Sequence, residues 1–366
     1  MRIAINTRLL ISGKMEGIGW YTYEVVKHLI ENHPEDEFIL FFDRKPSAEF
    51  DFGPNAKQVI LSPQARHPIL FRIWFNWAVK RALKKYQPDV FFSPDGYLSL
   101  TTDIPQVPVI HDLNFEHHPE DLPDHFLKYY KTYFPKFANI ADHILTVSDY
   151  SKRDIIKSYK IPSDKITVVW NGASDIFSPM SDDKKDVIRQ QYTNGKDYFL
   201  FVGALHPRKN LRRLIEAYTL FKEEHTNSET ELVIVGADLW KNSSSDIEIS
   251  PSIRDMIHFT GHLSLEDLSQ VMGAANAFVF VPYFEGFGIP LVEAMKAGVP
   301  IITGNKTSLP EVAGEAALYC DPFNAADIAQ KMNELATDEI LQADLIQKGL
   351  ERSKLFSWDK TAKEVY

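Results

Sequence analysis

One strand-to-helix transition in the chain reads YFEGFGIPLVEAM, from Tyr283 to Met295. It follows an apolar run at residues 277–281, which is typical of a buried strand, and it passes through two glycines and a proline into a helical pattern. Glycine allows close backbone approach and unusual dihedral angles, and proline suits the first position of a helix. The stretch therefore predicts a strand, a tight loop and a helix, in that order.

The start of this predicted helix has the features of an anion site. If Pro290 takes the first helical position, the N-cap is Ile289, whose side chain cannot accept a hydrogen bond. The amides there are then unpaired unless water or an anion meets them. A carboxylate stands on each side, Glu285 in the loop and Glu293 in the first helical turn. An ordinary turn, with Glu293 complementing the helix dipole, does not explain Glu285, Phe287 and the two glycines together.

Short apolar runs alternate with helical patterns along all 366 residues. This alternation predicts an α/β protein with doubly wound parallel sheets and helices on both faces. At about 100–200 residues per domain we expect two domains, at residues 1–178 and 197–350, separated by a polar, charged segment. A polar loop at 241–246 is predicted to be exposed and mobile. Because ligands bind beyond the carboxyl ends of strands in such sheets, the loops there are the candidates for chemistry.

Composition excludes several classes of protein. The net charge of -10 disfavours nucleic-acid binding. Cys320 is the single cysteine, so the chain has neither an internal disulfide nor a cysteine-based metal site. The first residues form a short strand pattern interrupted by Arg8, not a signal peptide, and no apolar run reaches the ~18 residues that a membrane span needs. We therefore expect a cytoplasmic protein, with contact at the cytoplasmic face of a membrane left open.

A second candidate site follows the predicted strand at 198–202 and begins at Gly203. With Asn210 as the N-cap of the next helix, four cations lie near the helix start: Arg208, Lys209, Arg212 and Arg213. Each is disfavoured there by roughly 0.3–1 kcal/mol, so their accumulation suggests a compensating anion. We favour phosphate binding by Arg208 and Lys209 over side chains that simply extend into water, because a guanidinium and an ammonium suit a diphosphate. Arg212 and Arg213 are expected at the surface.

The amino-terminal half offers weaker candidates. Gly17 and Gly19 precede a helical pattern and could admit a phosphate or a sugar, with an ordinary turn as an equal alternative. The third glycine of a dinucleotide fingerprint is absent, which disfavours a nicotinamide dehydrogenase. His111 ends a predicted strand and could hydrogen-bond a substrate, although a structural histidine is the simpler interpretation. Together with His117 and His118 it has no recognised zinc spacing, so we assign no metal.

Two stretches, at residues 71–81 and 126–137, mix aromatic residues with lysine or arginine. Basic amphipathic helices with aromatic residues can lie on anionic membranes. Core helices whose lysines extend to the surface have the same sequence pattern. We favour the core interpretation for most of these aromatic residues and keep peripheral membrane contact as the alternative.

Several of these motifs occur together in one known family of enzymes. Residues 285–300 resemble the signature of family 4 retaining glycosyltransferases, and residues 308–316 resemble the motif that follows it. Gly203 with residues 208–210 resembles the phosphate-binding loop of that family. The resemblance covers nearly the whole chain, and it implies the GT-B fold, in which two Rossmann-like domains face each other across a cleft. It also implies that residues 351–366 form a terminal helix that packs back on the first domain.

The resemblance implies a role for each candidate residue. Glu285 would face the donor sugar near the reaction centre, and Glu293 would hold the ribose hydroxyls of the nucleotide. Arg208 and Lys209 would neutralise the diphosphate, and His111 would approach the sugar from the first domain. Backbone amides would contact the sugar and the diphosphate at Gly286, Phe287, Gly288 and Ile289. The family often has arginine after the amino-terminal glycine loop, whereas this chain has tryptophan.

The implied activity is that of a metal-independent, retaining glycosyltransferase without a cofactor other than its substrate. It would move a hexose from a nucleotide-diphosphate sugar to a hydroxyl of a glycan or lipid-linked glycan in polysaccharide assembly. We favour GDP-mannose over a UDP-hexose, because the Gly17–Gly19 loop and His111 with Asp112 are most similar to mannosyltransferases. The alternatives are a GT-B nucleotide-sugar epimerase or hydrolase and a non-catalytic bilobal sugar-binding protein.

Overall fold

The computed structural model describes residues 1–236 and 249–366, so the polar loop predicted at 241–246 lies outside the described residues. The chain forms two compact units. The first contains Met1–Gly172 and Ser357–Tyr366, and the second contains Ala173–Phe356. Among the described helices, none is long and apolar enough to span a bilayer.

The strands are β1 (Arg2–Asn6), β2 (Glu37–Phe42), β3 (Ala56–Ile60), β4 (Val90–Ser93), β5 (Gln106–Pro108), β6 (Ile144–Thr146), β7 (Ile166–Val168), β8 (Tyr198–Val202), β9 (Glu231–Val235), β10 (Ile257–Gly261), β11 (Ala277–Phe280), β12 (Ile301–Gly304) and β13 (Ala317–Cys320). The α-helices are α1 (Gly17–Asn32), α2 (Pro68–Ile73), α3 (Lys80–Tyr86), α4 (Asn114–His117), α5 (Asp124–Ile140), α6 (Asp149–Tyr159), α7 (Asp182–Thr193), α8 (Leu211–Glu224), α9 (Leu265–Gly273), α10 (Ile289–Ala297), α11 (Leu309–Ala313), α12 (Ala325–Thr337), α13 (Glu339–Ser353) and α14 (Trp358–Val365). A π-helical turn, Trp74–Val79, joins α2 to α3.

A parallel sheet of order β3-β2-β1-β4-β5 forms the centre of the first unit. The parallel pair β6-β7 continues it, because a bridge joins Val109 to Leu145 and the Ile110 amide donates to the Leu145 carbonyl at 2.9 Å. Strand β2 buries five of its six residues. A strand that is apolar on both faces needs cover on both faces, and the helices provide it.

The second unit is built around a six-stranded sheet of order β10-β9-β8-β11-β12-β13, in which every pairing is parallel. Every residue of β8, β9, β11 and β12 is buried. Side chains of α8 and α12, such as Leu214 and Met332, complete the core on one side. The predicted α/β class with two doubly wound units is confirmed.

The strand order reverses beside the first strand of each sheet. The reversal lies between β1 and β4 in the first unit and between β8 and β11 in the second. Parallel sheets open a crevice at such a switch point, beyond the carboxyl ends of the strands, and ligands bind there. Arg208 and Lys209 follow β8, and Glu285 follows β11, so the fold brings these predicted residues to one switch point.

The first unit ends at Gly172, not at the predicted residue 178. Phe177 is buried, and the Lys296 ammonium donates to the Ala173 carbonyl at 2.8 Å, which ties this segment to α10. The polar segment that was predicted to connect the domains contains α7, which belongs to the second unit. Because α7 buries only Ile188 and Thr193, its charged residues dominate the sequence pattern.

The terminal helix also begins later than the predicted residue 351. Helix α13 continues to Ser353, and α14 begins after its N-cap Ser357, whose hydroxyl accepts a hydrogen bond from the Lys360 amide at 3.3 Å. Helix α14 is part of the first unit and packs against α1. The Thr361 hydroxyl donates to the Trp170 carbonyl at 2.7 Å. The segment predicted as one terminal helix therefore contains the end of α13, in the second unit, and the whole of α14, in the first unit.

Gly172 lies so close to the start of α14 that no side chain fits there. A Cβ at this position would stand 2.3 Å from the Trp358 amide nitrogen and 2.6 Å from the Ser357 carbonyl carbon. We predict that Gly172→Ala lowers the free energy of unfolding of the first unit by about 1–3 kcal/mol, because α14 must shift to relieve the overlap. Denaturant titration followed by tryptophan fluorescence measures the loss.

Gly17→Ala is the matched control, because a Cβ at Gly17 meets no atom within 4 Å. Alanine also favours a helix over glycine, so this variant should be at least as stable as the parent protein. Equal losses of stability in the two variants would contradict the close contact at Gly172.

Candidate functional site

The loops after β8 and β9 approach each other closely at the edge of the second sheet. A Cβ at Gly236, which follows β9, would stand 1.9 Å from the Gly203 carbonyl oxygen. At Gly203 itself a Cβ would make ordinary contacts, 3.5 Å from Phe201 and 3.6 Å from Lys209. The glycine that this close approach requires is Gly236, which the sequence did not single out. Gly203 contributes its carbonyl oxygen to the approach, and its place in the donor-binding loop stays a prediction.

The basic residues after β8 lie on a short 3₁₀ turn, Pro207–Lys209. His206 precedes the turn, and its Nδ1 accepts a hydrogen bond from the Arg208 amide at 3.2 Å. Asn210 follows it in a left-handed conformation, with φ of 64°. It is the N-cap residue of α8, as predicted, but its side chain makes no capping hydrogen bond. The side chain instead donates to the carbonyls of Val281 at 2.9 Å and Pro322 at 2.7 Å. These bonds fix the turn against the loops that follow β11 and β13.

Arg208 and Lys209 converge on one carboxylate. The Arg208 Nη1 lies 2.8 Å from Oε1 of Glu285, and the Lys209 Nζ lies 2.5 Å from the same oxygen. The ammonium also stands 5.1 Å from the centre of the Phe280 ring. Glu285 is only 7% exposed. The predicted residues from the two loops thus form one cluster, in which two partly exposed positive charges meet one buried negative charge.

The charge balance of this cluster decides the protonation state of Glu285. Burial by itself would raise the pKa of the carboxyl group, because it disfavours the charged form. The adjacent Arg208 and Lys209 outweigh that effect and hold the pKa of Glu285 below its usual value. The carboxylate is therefore ionised at neutral pH, and it is available to stabilise positive charge.

Two hydroxyl side chains after β12 hold the Glu285 loop in place. The Glu285 amide donates to Oγ1 of Thr307 at 3.3 Å. The Ser308 hydroxyl lies 2.9 Å from the Glu285 carbonyl oxygen and 3.2 Å from the Phe287 carbonyl oxygen. The sequence pointed to Ser308 only as part of the motif at 308–316, and it gave no sign of a role for Thr307. A hydroxyl that supports a loop distant in sequence leaves no local pattern.

The helix after this loop begins one residue earlier than predicted. Helix α10 starts at Ile289, so Pro290 is its second residue and the N-cap is Gly288, with φ of 97°. A glycine suits this left-handed position because it has no Cβ. The prediction that no side chain caps the start of this helix is confirmed. Gly286 and Phe287, the other predicted backbone contacts, are buried in the same loop.

Glu293 was predicted in the first turn of α10, but it lies just beyond that turn. Its side chain is partly buried, and burial raises the pKa of its carboxyl group to about 7. In the described part of the chain it makes no hydrogen bond or ion pair. It is therefore a partly buried carboxyl group without a partner and with a raised pKa, which is a common property of ligand-binding groups.

His111 lies in the first unit, beyond the carboxyl end of β5. Its Nε2 is 2.7 Å from the Pro94 carbonyl oxygen, which can only accept, so Nε2 carries the proton and Nδ1 is an acceptor. The ring stands edge-on to Tyr21, with centroids 4.9 Å apart. Burial lowers the pKa of His111. The histidine is thus neutral at pH 7 and presents a lone pair on Nδ1.

The two predicted glycines of the first unit have different environments. Gly17 begins α1 in open space, whereas a Cβ at Gly19 would stand 3.3 Å from the Leu9 carbonyl oxygen. At the nearby switch point, the Arg8 Nε pairs with Asp95 at 2.6 Å, and both side chains are buried. This pair was missed, because Arg8 was considered only as a charge that interrupts the first strand.

One group of described residues has the spacing of a metal site. Possible ligand atoms of His33, Glu35 and Asp36 lie within 4.8 Å of one another. Asp36 already pairs with the Met1 amino group and accepts a hydrogen bond from the Tyr366 hydroxyl at 2.8 Å. The group precedes β2 at the amino ends of the strands, which is the opposite edge from the switch point. We assign no metal to it.

Comparison with known proteins identifies the family of the chain. Residues 15–175 match the family model described as Glycosyltransferase Family 4, and residues 183–352 match the model described as Glycosyl transferases group 1. O-antigen chain mannosyltransferase B of Escherichia coli is 30% identical over 357 residues, covering 94% of this chain and 93% of that protein. O-antigen chain mannosyltransferase RfbU of Salmonella typhimurium is 27% identical over 272 residues, covering 74% of this chain and 71% of that protein.

A solved structure shows the same fold. WaaG, a glycosyltransferase involved in lipopolysaccharide biosynthesis, superposes with a TM-score of 0.79 at 15% identity, covering 99% of this chain and 98% of that one. At this identity the likeness concerns the fold alone. It confirms the predicted GT-B fold, with one Rossmann-like domain in each unit.

The partnerless carboxyl of Glu293 makes a prediction for stability. Its pKa in the folded protein, about 7, lies above the ordinary value of 4.5. The group therefore stabilises the fold below about pH 4.5, and that contribution is lost as the pH rises through 7. We predict that Glu293→Gln is more stable than the parent protein at about pH 8, by up to roughly 3 kcal/mol. The difference should disappear below about pH 4.5 in thermal melts.

Glu223→Gln is the control, because Glu223 is an exposed carboxylate on α8 of the same unit. Its melting temperature should follow that of the parent protein across the same pH range. A Glu293→Gln variant that is less stable than the parent at high pH would show that the carboxylate has a stabilising partner.

Proposed function

Because the chain belongs to glycosyltransferase family 4, we propose that it is a retaining enzyme that transfers a hexose from a nucleotide-diphosphate sugar to a hydroxyl group of a glycan. The observation that carries the proposal is the convergence of Arg208 and Lys209 on the buried carboxylate of Glu285. The cluster lies at the switch point of the second sheet, where α/β folds bind ligands. Its charges suit a leaving diphosphate and a sugar that becomes positive.

Arg208 and Lys209 supply the positive charge that a departing nucleoside diphosphate requires. Both are held by one oxygen of Glu285. A diphosphate carries more negative charge than a carboxylate and accepts hydrogen bonds at several oxygens, so it competes for the same two side chains. Cations that are already in position stabilise the leaving anion without reorganisation. We propose that the reaction therefore needs no metal ion for this purpose.

Glu285 is proposed to lie beside the anomeric carbon of the donor sugar. As the bond between that carbon and the diphosphate oxygen breaks, positive charge develops on the sugar ring, and the ionised carboxylate stabilises it. The acceptor oxygen bonds to the same face of the sugar, and its proton passes to the departing diphosphate oxygen. This sequence of steps retains the anomeric configuration. Nδ1 of His111 would accept a hydrogen bond from a sugar hydroxyl.

The backbone from 286 to 289 and Glu293 are proposed to hold the rest of the donor. The uncapped start of α10 offers amide donors to the sugar and the diphosphate, and the helix dipole favours an anion there. The Glu293 carboxylate would accept hydrogen bonds from the two ribose hydroxyls. Its pKa of about 7 means that this role requires loss of a proton near neutral pH. Donor binding should therefore tighten as the pH rises through 7.

GDP-mannose is the proposed donor, and a UDP-hexose is the nearest rival. Two relatives named as O-antigen chain mannosyltransferases support mannose, as do the motifs around Gly17, Gly19 and His111. The same names support a growing polysaccharide, either free or lipid-linked, as the acceptor. Membership of the family disfavours the epimerase or hydrolase and the non-catalytic sugar-binding protein.

The charge cluster makes a prediction that separates binding from catalysis. Glu285→Gln should lower kcat by about 100-fold or more, because the carboxylate acts on charge that develops only in the transition state. The affinity for GDP should be equal or higher, since Arg208 and Lys209 lose a competing partner. Steady-state kinetics and calorimetric titration of GDP measure the two effects. Unchanged turnover would remove Glu285 from the reaction centre.

Two arginines provide the matched comparison. Arg208→Ala removes a cation from the cluster and should weaken GDP binding, whereas Arg212→Ala, at the exposed start of α8, should leave it unchanged. Equal effects would mean that general positive charge, and not the geometry of the cluster, attracts the nucleotide.

A panel of nucleotides identifies the donor. A ligand that binds the folded protein raises the melting temperature by mass action, so thermal melts with GDP, UDP, ADP and their sugars rank the candidates. We predict the largest shift with GDP and GDP-mannose. A response to UDP alone would replace GDP-mannose by a UDP-hexose. With the preferred donor, sugar release at the same rate with and without every glycan acceptor would favour the hydrolase alternative.

A further inference from the structure

One surface of the first unit exposes apolar side chains that the proposed reaction does not use. It lies on the helical segment that runs from α2 through the π-helical turn into α3. Ile69 is 62% exposed, Ile73 is 42% exposed and Trp77 is 59% exposed. The three follow one another at intervals of four residues, so they form one row along the segment. The π-helical turn lies within this row, and such turns are frequent at functional sites.

The same segment carries a concentration of positive charge. Residues 52–88 contain no aspartate or glutamate, in a chain whose net charge is -10. They contain lysine or arginine at Lys57, Arg66, Arg72, Lys80, Arg81, Lys84 and Lys85. Those from Arg66 onward are exposed. The row of apolar side chains is therefore flanked by cations on both sides and has no acidic neighbour within its own segment.

Helix α5 extends this positive charge. Lys128, Lys131 and Lys136 are exposed on it, and Asp124, its first residue, is its single acid. Arg72 of α2 and Lys136 of α5 both lie over the ring of Tyr133, at 5.9 Å and 5.3 Å. The two helices thus place their cations side by side. We define the two-helix surface as Ile69, Arg72, Ile73, Trp77, Lys80, Arg81, Lys128, Lys131 and Lys136.

We propose that the two-helix surface binds an anionic lipid bilayer, with Trp77 and the two isoleucines entering the interfacial layer and the cations contacting headgroup phosphates. Tryptophan is enriched at this layer because its ring is apolar and its N–H is polar. Basic segments are attracted to anionic lipids, and helices with a basic and an aromatic face lie in the interface. A polynucleotide would engage the cations but leave Ile69 and Ile73 exposed to water.

Most aromatic residues of the helical segment from α2 to α3 pack into the core, as the sequence predicted. Phe71, Trp74 and Phe75 are buried, whereas Trp77 is exposed. The aromatic face of the segment therefore packs inward, and the exposed row of the two-helix surface is separate from it. This proposal does not depend on the identity of the donor or the acceptor.

Vesicle co-sedimentation of the full chain tests the proposal without donor or acceptor. We expect binding to vesicles of phosphatidylglycerol and phosphatidylethanolamine that is at least about tenfold tighter than to phosphatidylcholine vesicles, and that weakens with salt. Lys80→Gln with Arg81→Gln should lose about fivefold in affinity for each charge removed. Ile69→Ser with Trp77→Ser should lose at least as much, because the apolar contact is removed.

The matched control is Lys184→Gln with Val187→Ser on α7. This pair removes an exposed cation and an exposed apolar residue from the second unit, and it should leave vesicle binding unchanged. Thermal melts of all variants with GDP check that the fold and the nucleotide site are intact. An intact GDP response with lost vesicle binding separates this surface from the proposed donor site.

Three results would overturn the assignment. The first is a parent protein that binds anionic and neutral vesicles equally or not at all. The second is equal loss in the control pair. The third is short double-stranded DNA that binds as tightly as anionic vesicles, with no effect of Ile69→Ser and Trp77→Ser on vesicle binding, which would describe a surface for polyanions in general.

Discussion

Two cationic side chains that share one buried carboxylate oxygen organise the second unit. The carboxylate of Glu285 is not stable there alone, because a charge removed from water needs a partner, and the two partly exposed cations supply it. The pairing of Arg208 and Lys209 with Glu285 therefore links the loops after β8 and β11. Asn210 fastens the first loop to the backbone, and Ser308 fastens the second. The neutral bonds hold the charged groups beyond the carboxyl ends of the strands, at the switch point of the sheet.

Local sequence patterns predicted the buried strands and the charged residues of the site. Continuous apolar runs such as β8 predicted buried parallel strands, and the structure has them. Arg208 and Lys209 stood out because cations are unfavourable before a helix. Glu285 stood out because a tight turn needs no carboxylate. In each case the physical rule acts over a few neighbouring residues, so the sequence alone contains the signal.

Other features depend on residues that are distant in sequence, and they were missed or misplaced. Asn210 is the N-cap residue of α8, as predicted, but its side chain bonds to the distant carbonyls of Val281 and Pro322 and not to the helix. Gly236 is required because the Gly203 carbonyl, from another loop, stands where a side chain would be. The boundary at Gly172 follows from packing against α14, and the polar sequence of α7 suggested a linker where the fold has a helix. These contacts join residues that are distant in sequence and exist only in the folded chain, so no local pattern predicts them.

The membership of α14 in the first unit has a consequence for the order of folding. Most of that unit is synthesised first, yet its last piece, Ser357–Tyr366, follows the whole of the second unit. Trp358 and Thr361 of this piece are buried in the first unit, so their sites there stay unfilled until residues 357–366 leave the ribosome. The second unit is continuous in sequence and can fold while its partner is still incomplete. The unit that is made first is therefore completed last.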